Sequence, residues 1–556
     1  MSRLRCWGRR RIVGAAAGCI GLALAGLGIA ACGGSSTSAT TGGTLNILTP
    51  SFTDYEDPQL GYEATGWEAR YNVYIPMLTY AHATGVAGTQ VIPGLAKALP
   101  TVSKDGLTHT MFMRQGLKYS DGTDVKACDF KSAVERMFDI NSGGAGFYTD
   151  IVGAADYQAG KANDISGITC DDQTGKIVVQ LEKGAIRGTF NDELALQFVA
   201  PVPPDTPPKD QTANPPPATG PYYFTHVTPG QSWTEERNPY WEKNNAKIMP
   251  DLPSGFVDKI TSTVTKNFSS AVTEIEQNKA DDLTDPPPTD RLQEVQSRYS
   301  DRYRTWPTVS TYYFWMNTQT PPFNDVKIRQ AVNYAIDPAA LERLYGGLMA
   351  PTQQILPPDM PGYSKIDPPL YPHDLAKAKQ LFQQANPSDT DITVWTDDET
   401  PNDKAGEYLQ SVLKDIGFNA KLKIVNGSVY FDVIGSNKTA NLDVGWSDWF
   451  QDYPHPNDFF DILLNGDNIA TVHNNNYALF DDPAINKQIT DLGHADFTDQ
   501  VKSQYGALDK TIMEQAPWAP YGNRTWTTFV SDRVDFSKVQ FHPVFQEDYS
   551  TFQFTQ

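Results

Sequence analysis

The stretch Ile392-Thr-Val-Trp395 … Leu409-Gln-Ser-Val-Leu-Lys-Asp-Ile-Gly417-Phe-Asn-Ala-Lys-Leu-Lys-Ile-Val425 decides the fold class. Its first four residues are apolar or β-branched and read as a strand. Leu409, Val412, Leu413 and Ile416 recur at i, i+3, i+4 and i+7, which is one face of a helix, and Gly417 stops it. Residues 420–425 alternate and read as a second strand. Strand, helix, strand at this spacing is a βαβ unit, the element that builds a parallel sheet. The class is therefore α/β.

The same signals run outward on both sides. Leu375, Ala378, Phe382 and Ala385 mark a helix stopped by Asn386-Pro387. Asn324-Asp325 caps a helix whose Ile328, Ala331, Val332, Ala335 and Ile336 share one face, and Asp325 and Arg329 are spaced to pair on its surface. Tyr312-Tyr-Phe-Trp-Met316 is an aromatic strand. Phe268, Ala271, Val272 and Ile275 form another helical face. Earlier, residues 44–48, 108–114 and 177–181 read as strands, Phe130, Ala133, Val134, Met137 and Phe138 as a helix face, and residues 66–78 as one aromatic-rich helix. Asp57-Pro58 and Tyr119-Ser-Asp-Gly-Thr123 are turns, with Gly122 free to take positive φ. Nine prolines between Pro201 and Pro221 exclude helix and central strand there and mark a connector.

The chain has 556 residues, 40% of them hydrophobic, which is enough for several cores. Its formal charge is −21, from 45 Lys plus Arg against 66 Asp plus Glu. The first 31 residues carry five Arg and no acid, so the rest holds 40 basic against 66 acidic residues, a net of −26. An acidic body argues against nucleic acid and anionic membrane surfaces as partners. Arg9-Arg10-Arg11 precede a charge-free run, 12–31, the layout of an export signal. The run closes on Ile29-Ala30-Ala31-Cys32 and a Gly/Ser/Thr-rich tether, 32–43. That ending resembles a bacterial lipobox, in which the cysteine, here Cys32, is lipidated and becomes the mature N-terminus.

Cys6 and Cys19 leave with the leader, so Cys128 and Cys170 are the body's only cysteines. Outside the cytoplasm such a pair forms one disulfide, the alternative being two buried free thiols. Nucleophile-elbow, zincin and phosphate-loop motifs are missing from the sequence. The eight histidines stand at no metal-ligand spacing, and carboxylate pairs such as Asp397-Asp398 are chain neighbours, not facing groups. Neither enzyme, metal nor cofactor is implied.

Five segments in order resemble one family. They are Pro93-Gly-Leu-Ala-Lys-Ala-Leu-Pro100 with Lys104 to Thr123; Thr219-Gly-Pro-Tyr222; Arg237-Asn-Pro-Tyr-Trp241; Tyr313-Phe-Trp-Met-Asn317 with Pro322 to Asp337; and Trp446 followed by Asp452-Tyr-Pro-His-Pro-Asn-Asp-Phe459. Together they resemble the extracellular solute-binding proteins of ATP-binding-cassette importers, in the oligopeptide, dipeptide and nickel branch, family 5. The resemblance implies a two-lobed periplasmic-binding-protein-like fold with an extra α/β subdomain inserted in lobe I. Lobe I would take residues 44–79, 205–307 and 527–556, the insert 80–204 and lobe II 308–526, with hinges near 307 and 526. It further implies a monomeric, lipid-anchored, extracytoplasmic receptor that captures oligopeptides and delivers them to a membrane permease. A non-peptide solute (oligosaccharide, opine or metal chelate) and a surface sensor without a permease are the alternatives.

In peptide-binding members an aspartate in Trp-x-x-Asp-Tyr-x-x-Pro holds the ligand's α-amino group. Counting back from Pro456 and Phe459 makes it Asp452. Five residues separate it from Trp446, which makes Asp448 a competitor. Asp443 stands where carboxylate-holding members can carry an Arg, and no Arg lies between Arg343 and Arg524. That argues against a carboxylate clamp from this segment. Trp446, Trp449, Tyr453 and Tyr313 complete the expected ligand-binding set, with the reservation that neighbours on a strand face opposite ways.

Overall fold

The computed structural model describes residues 41–185, 188–436 and 442–555. The leader, Cys32 and most of the tether lie outside the described residues. Gly42 and Gly43 already bond to the body, through Phe256 O and the Asp258 carboxylate. No helix among the described residues is long and apolar enough to cross a membrane.

The βαβ unit forms the edge of a seven-stranded sheet. Asp391–Asp397 and Asn419–Val425 pair in parallel, Ile392 against Ala420. The helix between them, Asn402–Ile416, buries Ala405, Leu409, Leu413 and Ile416. It ends at Gly417, with φ of 129°, where a Cβ would stand 2.5 Å from the Phe382 ring. Val444–Phe450 runs parallel to Asp391–Asp397 and antiparallel to Ser310–Met316, which places Asp448 beside Tyr312 and Trp446 beside Phe314. Ser310–Met316 pairs in turn with the twelve-residue strand Trp518–Phe529. That strand continues out of this lobe. Its second half pairs with Tyr303–Pro307, and Val530 just beyond it bridges to Asp282 of the other main sheet.

The second sheet has five strands. Thr44–Thr49 lies in parallel between Lys259–Val264 and Asp282–Leu283. Ser232–Arg237 and Tyr222–Thr228 extend it antiparallel. A third, four-stranded antiparallel sheet comprises Thr101–Val102, Thr108–Phe112, Lys176–Gln180 and Ile168–Asp171. Helix Ala127–Asp139 packs Phe130, Val134, Met137 and Phe138 into the core on this sheet. Cys128 at its start is disulfide-bonded to Cys170 on the neighbouring strand, with Cα atoms 5.3 Å apart. The fold is α/β and two-lobed, each lobe on its own sheet, with the extra α/β subdomain on the five-stranded one. The subdomain's core is not self-contained. It takes in Trp67 and Tyr71, Trp241 and Met249, and Val544 and Phe545 from three distant segments.

Two expectations are corrected. Residues 66–78 are not one helix: Ala64–Tyr71 is helical, and Leu78–Tyr80 is a strand. Pro76 lacks the N–H a helix needs and pushes Ile75 out of the helical region. Arg329 does not turn to Asp325. Asp325 caps the helix through Lys327 N, and the buried guanidinium donates to Phe323 O at 2.7 Å and Gln515 O at 2.7 Å. With Nε also donating to Gln515 O at 3.0 Å, three bonds to two carbonyls satisfy a desolvated Arg better than a surface pair, which contributes little.

Candidate ligand-binding site

Parallel strands of the seven-stranded sheet end on one edge, where open α/β sheets place ligands. The edge collects Asp397 and Glu399 after one strand and Asp448, Trp449 and Asp452 at the end of another. On the long strand that crosses between lobes it adds Arg524. Facing it is the loop 51–63 of the other lobe. Arg136 holds the base of that loop, donating to both Asp57 oxygens at 2.8 and 2.5 Å and to Gln59 Oε1 at 2.6 Å.

One hydrogen bond crosses between the lobes at the expected residue. Tyr62 Oη donates to Asp452 Oδ2 at 2.8 Å. Asp452 is 6% exposed. Burial pushes its carboxyl up to about 8, and the Tyr62 bond only partly opposes this. Behind it lies the fully buried Asp458, whose Oδ2 accepts from Asp452 N at 3.0 Å and Trp449 Nε1 at 3.3 Å. Burial first, then the charge of Asp452, raises Asp458 well above the usual carboxylate range. Two carboxyls this close in low dielectric hold at most one negative charge near neutrality. Aromatic rings wall the pair: Tyr62 meets Trp449 edge-on at 6.2 Å, and Phe147 meets Tyr453 at 6.0 Å. An ammonium ion is the group such a desolvated carboxylate with aromatic walls holds best.

Farther along the edge the acids continue. Asp448 is half-buried and pushed up to about 6 by burial, against the Tyr312 hydroxyl and the Arg524 charge, which pull it down. Asp397 is raised to about 8 by burial, although Asn402 Nδ2 and Glu399 N donate to it at 3.0 Å each. From the opposite lobe Asp285 is raised to about 7 and Glu63 well above its usual range. Burial leads in both, and Glu399 adds repulsion across the gap.

The expected residues therefore fall into two sets. Asp452, Trp449 and Tyr453 stand together between the lobes, and Asp448 lines the same edge. Trp446 and Tyr313 belong to the core. Trp446 is 2% exposed and spends its indole N–H on Tyr521 Oη at 2.8 Å. Tyr313 is fully buried and stacked on Trp518 at 3.6 Å, on the sheet face opposite Asp448, while Tyr312, also buried, stands beside Asp448. Trp449-Phe-Gln-Asp452-Tyr-Pro-His-Pro456 keeps the spacing Trp-x-x-Asp-Tyr-x-x-Pro, and Trp449 is the tryptophan that bonds within the acid pair. Sequence reasoning missed Tyr62, Glu63, Asp285 and Arg524. Tyr62 lies 390 positions from Asp452, and no local signal joins them.

The family description "Bacterial extracellular solute-binding proteins, family 5 Middle" matches residues 90–471. The "Probable di/tripeptide-binding protein 5" of Pseudomonas aeruginosa is 24% identical over 481 residues, 83% of this chain and 86% of that one. The "Periplasmic murein peptide-binding protein MppA" of Escherichia coli is 26% identical over 455 residues, 78% of this chain and 79% of that one. Among solved structures, the "Clavulanic acid biosynthesis oligopeptide binding protein 2" superposes with a TM-score of 0.79 at 23% identity. The match covers 93% of this chain and 96% of that one.

Proposed function

This chain belongs to family 5 of the bacterial extracellular solute-binding proteins, and from that premise we propose that it captures peptides between its lobes for an ATP-binding-cassette importer. The observation that carries the reading is Asp452. It is a buried carboxylate between the lobes, with a second carboxylate behind it and a neutral hydroxyl as its partner across the gap. A peptide's α-ammonium supplies the missing charge. Relatives named as di/tripeptide- and murein peptide-binding proteins support the same ligand class. Closure over the ligand excludes water and strengthens the ion pair. The closed form then docks on the permease, and no covalent step is involved. Cys32 carries the lipid that keeps the receptor at the outer face of the membrane, with the tether giving it reach.

The test is native mass spectrometry of the exported protein with whatever it carries from the cell, followed by calorimetric titration with free and N-acetylated peptides. A bound peptide, and loss of binding on acetylation, is the expected result. A co-purified sugar or chelate with no peptide binding overturns the proposal.

A further inference from the structure

Arg524 is an unusual residue for a protein cleft. It is 8% exposed, and among the described residues its Nε and Nη1 have no hydrogen-bond partner. Its guanidinium is a buried cation. Burying a charge without a bonded counter-ion is costly, and this one is held in place. Its main chain is pinned by Thr308 Oγ1 donating to Arg524 O at 2.7 Å and by Arg524 N donating to Ser310 Oγ at 3.2 Å. Its guanidinium carbon lies 4.9 Å from the Tyr345 ring centre and 5.9 Å from that of Trp526. Asp448, Asp285 and Glu399 are the acids of this neighbourhood. Arg524 acts on the first two through space, but no carboxylate among the described residues stands within ion-pair distance of it. Asp448 and Asp285 are themselves raised by burial to about 6 and about 7, and neither bonds to the guanidinium Nε or Nη1.

We infer that Arg524 receives the C-terminal carboxylate of a short peptide whose amino end lies at Asp452. The inference rests on the peptide reading above and adds the second anchor and a length. Gln451 N donates to Val309 O at 2.9 Å, while Thr308 bonds Arg524 O. The backbones leading to Asp452 and carrying Arg524 thus lie on either side of residues 308–309, about 10 Å apart at two strand spacings. An extended chain advances about 3.3–3.6 Å per residue. A free peptide of roughly two to four residues fits between the two charges, and its carboxylate can accept two parallel bonds from the guanidinium fork. The position differs from the segment before Trp449, which carries no arginine.

The experiment is calorimetric titration of the full exported protein with randomised tripeptide pools: free, C-terminally amidated, and N-acetylated. Wild type should bind the free pool at least tenfold more tightly than the amidated one. Arg524→Gln should weaken the free pool, leave the amidated pool within threefold of wild type, and so erase the preference. Arg524→Lys keeps the charge without the fork and should restore part of it, which also serves if the Gln variant does not fold. Equal binding of free and amidated pools by wild type overturns the inference and leaves the peptide reading standing, as does an Arg524→Gln variant that keeps the full preference. Failure of all three pools to bind removes both.

Discussion

Asp452→Asn separates the charge of this carboxyl from its shape. In the closed lobes burial holds it at about 8, so near pH 6 to 7 the empty pair is protonated. A bound ammonium ion requires the carboxylate. Binding must therefore release a proton below pH 8, and wild-type affinity should rise by up to about tenfold per pH unit from pH 6 to about 7.5, where a peptide amine is still ionised. The slope belongs to the Asp452–Asp458 pair, whose titrations are linked. At the upper end of that range, removing one partner of a desolvated ion pair costs about 2–5 kcal/mol, or roughly thirtyfold and more in Kd. The asparagine Oδ1 can still accept from Tyr62 Oη, and the native carboxyl is already neutral at pH 7, so the unfolding temperature of the empty protein should stay close to wild type. The assay is calorimetry at pH 6.0, 6.75 and 7.5 in two buffers of different ionisation enthalpy, which counts protons released. A pH slope in Asp452→Asn equal to that of wild type would refute the reasoning. So would wild-type binding that releases no proton and ignores N-acetylation.

Three further outcomes follow, two from the structure and one from the leader sequence. Glu68, Asp282 and Glu547 are fully buried at the foot of the strand that crosses between lobes, each raised mainly by burial, Asp282 to about 6. Raised folded values mean that the native state holds protons the unfolded chain gives up. Stability should be fullest below about pH 4 as far as these groups go, and should fall as pH rises through 6 and beyond. Thermal melts of Glu547→Gln from pH 5 to 8 should show a flatter decline than wild type, and an unchanged decline would count against the assignment. Cys128→Ser should cost on the order of 4 kcal/mol in the loop-entropy account, for a separation of 42 residues, read as a lowered denaturation midpoint. Free thiols titrating in the oxidised native protein would contradict the bridge. Cys32→Ala should release the protein from membranes or leave the precursor uncleaved in cell fractions, and membrane retention of a cleaved, unlipidated protein would dismiss the anchor.

The sequence by itself determined the elements and their class. Helix faces such as Leu409, Val412, Leu413 and Ile416, the stop at Gly417 and the cap at Asp325 are local, because period, chirality and capping act within a few residues. The ordered motifs carried the family and pointed to Asp452. Only the tertiary structure decided which aromatics are spent in the core. Trp446 and Trp449 look alike in sequence, yet one bonds to Tyr521 inside the lobe and the other to Asp458 between lobes. Tyr312 and Tyr313 are separated only by strand alternation, whose phase is set by pairing with residues 444–450 and 518–529. The electrostatic character of the site was invisible for the same reason. Burial raises Asp452, Asp448 and Asp285, and Glu399 adds repulsion to the last two; the lobes that bury Asp452 and bring Glu399 up to Asp285 meet through long-range packing that no sequence window contains.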